Sequence, residues 1–428
     1  MRSLIEKLEK KLTFLQPWIV VFSAASFFFF QFINMNSFDA LGPDLAKTFN
    51  INALTMSSLS SMYFYGNIFL IPTGLLLDRF STKKLLLSGA LLAALCTFLF
   101  AHAQTLSQAF ILRFLIGALS TLCLLSCVKL TSRWFSAHLT GIVMGLVITF
   151  AMLGGIVAQQ LSWINMDLGH DWRHTMSYLA GVGLLVSLLI ACFVKDYPKT
   201  YQKQEDANQK ALEKSFWKNF FLPFKNIQNW LAGLYANFLS IPIVVVGALF
   251  AETYLTQVYQ ISSAQAALVS SMIFFGVLIG CPVFGALSDR LKRRKLPLII
   301  GAFLTLLISL FILELKSANL ELLLTLFFLL GLFSGSQVLS YAIVVESNPA
   351  HLTATAESQA ATLIMSAGAI FQPIFALVLE HHWDGKILAG NKIYPTLAYH
   401  DAMFLLPIAL GLALILACFI RETYCKRI

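Results

Sequence analysis

The chain has 428 residues, of which 58% are hydrophobic and only 12% charged, with a mean hydropathy of +0.76. A soluble globular protein carries about twice that charge, so the composition excludes a soluble enzyme or binding module and indicates a polytopic membrane protein. A net charge of +9 would suggest nucleic acid or an acidic partner in a soluble domain, but in a membrane protein the placement of the cations matters more than their sum.

Residues 1–16 are basic and amphipathic, and the apolar run after them, 17–38, is longer than the roughly 7–15 residues of a signal-peptide core, so it reads as a first transmembrane helix. A crossing needs about 20 largely apolar residues. Eleven further stretches meet that requirement: 54–77, 85–104, 107–130, 139–163, 174–194, 229–256, 263–287, 296–315, 319–344, 353–380 and 401–420. The expected fold class is therefore all-α and polytopic, with twelve transmembrane helices. The segment 195–228, rich in Lys, Glu, Gln and Asn, is the one long polar interruption. It is expected to be a cytoplasmic linker or surface helix between two six-helix bundles, 1–194 and 229–428. Seven cysteines, at 96, 123, 127, 192, 281, 418 and 425, show no paired spacing, so neither a disulfide framework nor a zinc site is expected.

With both termini inside, 24 of the 30 lysines and arginines fall on the cytoplasmic side, among them seven lysines between Lys195 and Lys225. Only Lys47, Arg173, Lys316, Lys386 and Lys392 fall outside, and only Arg113 lies within a span. The positive-inside rule then orients the chain as an inner-membrane protein with both termini in the cytoplasm.

Two short charged clusters each follow an apolar run: Gly74 to Lys84, GLLLDRFSTKK, and Gly285 to Lys295, GALSDRLKRRK. They share Gly-x-x-x-Asp-Arg followed by further cations, and their glycines stand 211 residues apart, half the chain length. Ala137-His138-Leu139-Thr140 recurs as Ala350-His351-Leu352-Thr353 at an offset of 213, where Gly155 meets Gly368 and Gln159 meets Gln372. Ala191-Cys192-Phe193 recurs as Ala417-Cys418-Phe419 at an offset of 226. Two similar halves account for all three repeats.

Gly-x-x-x-Asp-Arg between the second and third spans resembles the signature of the major facilitator superfamily. The family's usual Gly-Arg after Asp-Arg-x is Ser81-Thr82 in the first copy and Lys292-Arg293 in the second. Arg113-Phe114-Leu115-Ile116-Gly117 resembles the Arg-x-x-x-Gly of the fourth helix, Ser132-Arg133-Trp134-Phe135 closes that helix as expected, and Asp171-Trp172-Arg173 opens the sixth. The run from Tyr63 to Gly74, with Lys129 and Ser132 to Phe135, looks most like a bacterial branch related to the lysosomal dipeptide transporters. The resemblance implies two bundles rocking about a central site. It also implies a gating role for Gly74, Asp78, Arg79, Lys83 and Lys84, and for Asp289 and Arg290 in the second copy, locking the inner side. A carboxylate at such a helix end can pair with cations and with the N-terminal dipole of a neighbouring helix; the rival reading is a positive-inside anchor.

Arg113 is the lone cation inside a span, and an intramembrane charge is costly enough to mark a functional site by default. The rival reading is snorkelling to the outer end of its helix. Gln31 and Asn34 share a face of the first helix, and Gln337 and Tyr341 share one in the tenth. These four are candidate substrate-binding residues or interhelical glue. Gln159 and Gln372 read equally as packing residues. Glu252 and Glu357 read as interfacial or as proton carriers, and His381-His382 lacks evident partners. No enzyme constellation and no phosphate-binding loop appears, so no catalysis, metal or cofactor is expected.

The expected function is secondary transport of a small polar organic solute, an amino acid, short peptide or organic acid, with or without a coupled proton. The chain would act as a monomer in the lipid bilayer, with no nucleic-acid partner. The guanidinium fork of Arg113 suits a carboxylate on that solute. The alternatives are a metabolite or drug exporter of the same family and a non-transporting sensor on this scaffold. Ala158-Gln159 stands where the drug/proton antiporters carry Gly-Pro, and the Glu-x-x-Glu-Arg of proton-coupled peptide carriers is absent from the first helix.

Overall fold

The structure, a computed structural model, describes residues 2–135, 137–167, 171–198, 222–315, 317–348, 353–388 and 391–426. Side chains at 2–14, 39–40, 75, 78–79, 132, 137–142, 162–167, 222–223, 353–355, 388 and 391 lie outside that description, as do residues 199–221 of the expected linker.

The first helix, α1 (Arg2–Phe49), continues well past the expected span and ends at Asn50, whose left-handed φ of 50° stops it. The second crossing is made in three pieces: α2 (Ala53–Gly66), a 3-10 turn (Asn67–Phe69) and α3 (Leu70–Arg79). Pro72 has no N–H to return to Ile68, and one turn earlier the Asn67 side-chain amide donates to the Tyr63 carbonyl at 3.0 Å, beside the point where the ladder tightens. Next come α4 (Thr82–Ala101), α5 (Leu106–Trp134), α6 (Ala137–Asp167) and α7 (Trp172–Phe193).

The seventh crossing joins α8 (Ile227–Ile241), a π-helical stretch (Pro242–Phe250) and α9 (Ala251–Val258). It is followed by α10 (Ser263–Leu291), α11 (Lys295–Glu314) and α12 (Leu320–Ser334). A 3-10 turn (Gly335–Val338) leads to α13 (Leu339–Glu346), α14 (Thr353–His381), α15 (Thr396–Met403) and α16 (Leu405–Phe419). A short hairpin, Ile387–Leu388 against Asn391–Lys392, precedes α15.

Among the described residues, eleven helices are long and apolar enough to cross a membrane. The expected span 54–77 is not one of them, its serines, tyrosines and Asn67 making it the more polar crossing. The fold class read from the sequence, all-α and polytopic, is the observed one.

Helix α1 packs on α5, α6 and α7, and α4 packs on α5 and α7; farther along, α8 packs on α14 and α16, and α10 on α12. The most extensive contacts between these groups are those of α2 with α14, α6 with α10, and α1 with the π-helical stretch. Lipid offers no hydrophobic drive for helix pairing, so close approach of backbones has to supply it. Gly117 of α5 lies so close to α2 that a Cβ would stand 2.0 Å from the Tyr63 carbonyl oxygen. Gly331 of α12 repeats this in the second half, 2.0 Å from the Ile273 oxygen of α10.

Candidate functional site

Midway along the bundle, α1, the break after α2, α5 and α14 enclose a cavity of about 30 Å³, room for roughly one water. Its polar lining is Tyr63, Asn67, Ser120 and Thr121, set among Phe28, Phe32, Met35 and Met365. Among the described residues no charged side chain lines it. The polar groups bond to one another: the hydroxyls of Thr73 and Thr121 are 2.8 Å apart, and Ser120 donates to Asn67 Oδ1 at 3.4 Å. Across the same level, Ser61 donates to the Gly368 carbonyl at 3.2 Å and Tyr65 to that of Ala369 at 3.0 Å, tying α2 to α14.

Arg113 sits one aromatic ring from this cavity. It is 1% exposed, so it does not snorkel. Its Nη1 donates to the Asn34 carbonyl at 2.7 Å and its Nη2 to that of Met35 at 3.1 Å. The guanidinium lies 3.8 Å from the Phe38 ring centroid and 4.9 Å from that of Tyr63, which lines the cavity. Among the described residues no carboxylate pairs with it, and Nε has no partner. Asn34 turns its side chain to α4, accepting from Thr97 at 3.3 Å. Gln31 is fully buried with both ends of its amide unbonded. The structure thus gathers Arg113, Gln31 and Asn34 on the seam of α1 and α5. Gln337 and Tyr341 lie apart in the broken tenth crossing. No described hydrogen bond joins those two to the Arg113 group.

The repeat-related glutamines converge on one place. Gln159 of α6 donates to the Gly247 carbonyl at 2.7 Å, and Gln372 of α14 to that of Val244 at 2.6 Å. Both acceptors belong to the π-helical stretch, whose altered ladder leaves its carbonyls differently directed. Ser61 also bonds Gln372 Oε1 at 3.3 Å.

At the end of the bundle that holds the termini, a carboxylate caps a helix in each half. Asp196 accepts from the Lys83 N–H at 2.8 Å and from the Ser81 hydroxyl at 2.5 Å, while Lys83 Nζ reaches the Ala191 carbonyl at 2.7 Å. Glu422 accepts from the Arg294 and Lys295 N–H groups at 2.7 and 3.0 Å. Anions belong at such N-termini. Burial works to raise the Glu422 carboxyl, but the backbone donors from Arg294, Tyr424, Lys295 and Thr423 outweigh it and hold it below the usual carboxylate range.

Asp289 accepts from Arg294 Nη1 at 2.7 Å, and Glu346 from Arg294 Nη2 at 2.7 Å. Arg290 and Lys84 are exposed, and a Cβ on Gly74 would meet nothing closer than Leu125 at 4.0 Å. The side chains of Asp78 and Arg79 lie outside the described residues.

At the opposite end Glu380, at the close of α14, reaches across to the start of α2. It accepts from the Ala53 N–H at 3.0 Å, from the Tyr394 hydroxyl at 2.6 Å and from Lys392 at 2.8 Å. Tyr394 N–H in turn donates to Gln257 Oε1 at 3.0 Å. His382 has a partner the sequence did not suggest, Asp401, at 3.3 Å.

Sequence reasoning missed Asp196 and Glu422, although they stand 226 residues apart, the offset of the Ala-Cys-Phe repeat. Extending that repeat a few residues would have found them. Glu380 and Tyr394 carried no local signal, because the Ala53 N–H that they meet lies more than 300 residues away; Arg294 stood in the second charged cluster but was not singled out there.

A family model described as Major Facilitator Superfamily matches residues 24–373 and 244–424. No curated protein matches the chain. Among solved structures, a bacterial homolog of the human lysosomal transporter Spinster, inward-facing and unoccupied, is 13% identical with a TM-score of 0.74, covering 95% of this chain and 97% of its own. A D-xylose-proton symporter is 16% identical with a TM-score of 0.75, over 96% and 100% of the two chains. A nucleoside transporter is 15% identical with a TM-score of 0.65, over 94% and 98%. At these identities the structures speak to the fold alone, and the family model, matched along nearly the whole sequence, settles the rest: the chain belongs to the major facilitator superfamily.

Proposed function

We propose that the protein is a secondary transporter that moves a small polar organic solute bearing a carboxylate, such as an amino acid, short peptide or organic acid, by alternating access. Residues 1–194 and 229–428 would be the two rocking halves, with 195–228 between them. The observation that carries this reading is the buried guanidinium of Arg113, which has no counter-charge among the described residues and stands one ring from the central cavity. In a medium of low dielectric an uncompensated cation stabilises any anion that comes near it. The hydroxyl and amide groups of Tyr63, Asn67, Ser120 and Thr121 would orient the rest of the solute.

A second reading has its own support: among the described residues no charge lines the cavity itself, which suits a neutral hydroxylated solute of the kind the xylose and nucleoside carriers take. Melting of the purified protein with alanylalanine, with its C-terminal amide and with xylose separates the two. A ligand bound only by the folded state raises the melting temperature. A rise with the dipeptide alone is expected; equal shifts from acid and amide would defeat the carboxylate reading. Counterflow of labelled dipeptide in proteoliposomes then distinguishes a transporter from a sensor that binds without moving its ligand.

Gating follows from the two ends. We assign the inner lock to Gly74, Asp78, Arg79, Lys83 and Lys84 with Asp289 and Arg290, and the outer lock to Glu380 on the N-terminus of α2. A charged hydrogen bond to a backbone N–H contributes about 1.5–3 kcal/mol, enough to shift the two-state population roughly tenfold or more. Met56→Cys, in a cysteine-free background, reports on the outer end, where Met56 is buried. Glu380→Gln should raise its labelling from outside and Asp78→Asn should lower it. Unchanged labelling in both would remove the locks from these residues.

A further inference from the structure

The outer end carries a group of titratable side chains that the central cavity and the locks leave unused. His382 stands one residue past the end of α14, and each of its ring nitrogens faces an oxygen: Nδ1 lies 3.1 Å from the Val378 carbonyl, and Nε2 lies 3.3 Å from Asp401 Oδ2 of α15. A neutral imidazole has one N–H and one lone pair, so either tautomer turns a lone pair towards an accepting oxygen. The imidazolium, with two N–H groups, serves both. Val378 also belongs to the last turn of α14, where the helix dipole favours a cation.

The surroundings leave this pair to itself. On α14, Glu380 is bonded to Ala53, Tyr394 and Lys392, and His381 stands edge-on to His382 with ring centroids 5.1 Å apart. The segment after α14 brings Asp384, paired with Lys386 at 2.9 Å. Helix α15 adds Tyr399 and His400, and α9, which packs on it, adds Glu252 and Tyr254. The π-helical stretch and α2, which also pack on α14, bring no charged side chain, and neither does α16. Asp384 and Glu380 thus have lysines, whereas among the described residues Asp401 is met only by imidazoles, His382 and, through Nδ1 at 3.3 Å, His400.

His382 and Asp401 stand at the two ends of the stretch that carries Lys392 and Tyr394 to Glu380. We propose that they form a proton-operated strap: with His382 protonated, the pair ties α15 to the end of α14 and holds the stretch between them in place, and loss of that proton slackens it. The strap is complete while the imidazole is charged, so it is lost as the pH rises; histidine ordinarily changes charge between about pH 5 and 8. The proposal stands on the contacts of the outer end, whatever solute the protein moves.

Amide hydrogen exchange of the purified full-length protein, expressed as protection relative to the intrinsic rate at each pH, reads two bonds that the strapped stretch makes. They are those of the Ile393 N–H to the Lys386 carbonyl and of the Tyr394 N–H to Gln257 Oε1, each 3.0 Å. Protection there should fall about two- to fivefold between about pH 6 and pH 8.5, the size expected of a half-exposed ion pair. His382→Gln and Asp401→Asn should each flatten the profile at the level that the parent shows in alkali. Their side chains are 33% and 37% exposed, so neither substitution disturbs the core. His381→Gln and His400→Gln should keep the parent's pH dependence. A flat profile in the parent overturns the proposal, and so does a dependence that survives His382→Gln or that disappears with His400→Gln.

Discussion

Arg113→Met is expected to leave the protein folded and at least as heat-stable as the parent, while abolishing its response to carboxylate solutes. The carbonyls of Asn34 and Met35 that receive the guanidinium lie inside the continuous helix α1, so each keeps its own ladder bond when the arginine is gone. Methionine fills most of the space between Phe38 and Tyr63 and brings no charge to desolvate. Replacing buried charges by apolar groups of like volume is often neutral or stabilising, by about 1–4 kcal/mol. Arg113→Ala should behave differently, since it empties the seam between α1 and α5 at a cost of about 2–4 kcal/mol. Arg113→Lys keeps a charge without the fork and should recover little. If Arg113→Met keeps the melting shift given by alanylalanine, the guanidinium is a packing residue and the carboxylate reading falls.

Gly117→Val should prevent the protein from accumulating in a folded, monodisperse form. The added side chain begins 2.0 Å from a carbonyl oxygen of α2, and backbone cannot yield as a flexible side chain does, so the penalty exceeds the roughly 3 kcal/mol of ordinary overpacking. Gly331→Val should fail in the same way through α10. Gly145→Ala is the control: nothing lies within 4 Å of a Cβ there, and alanine is the better helix former. Size-exclusion profiles of fluorescent fusions in detergent would show the contrast. A normal profile for Gly117→Val would mean that α2 and α5 pack less tightly than described.

Hydropathy made the crossings legible, because lipid demands a long apolar stretch wherever the chain passes. It did not reveal where helices end or break. The first helix outruns its apolar segment by several turns, running through Gly42 and Pro43 and ending only at Asn50 with its left-handed φ. The break at Asn67–Phe69 and the π-helical stretch at Pro242–Phe250 depend on a proline and on side-chain partners from other helices, and composition averages over both. In the central region Arg113 was conspicuous because a charge in a span is rare. Tyr63, Asn67, Ser120 and Thr121 were not, because uncharged polar groups on a helix face look alike whether they glue helices or line a cavity. Glu380 and Tyr394 were invisible because their meaning lies in the Ala53 amide, more than 300 residues away.

The clamps that hold the middle of the bundle across α2, α6, α14 and the π-helical stretch are all neutral: Gln159, Gln372, Ser61 and Tyr65 on carbonyl or amide oxygens. None of these groups changes charge between acid and moderately alkaline conditions, and none is weakened by counter-ions as an exposed ion pair is. If the two halves rock on one another as proposed, the motion pivots on contacts blind to acidity and to ionic strength. Any sensitivity of the transport cycle to protons must enter at the ends, where carboxylates such as Glu380, Glu252 and Glu346 are placed, and a proton gradient that drives this protein would do its work there.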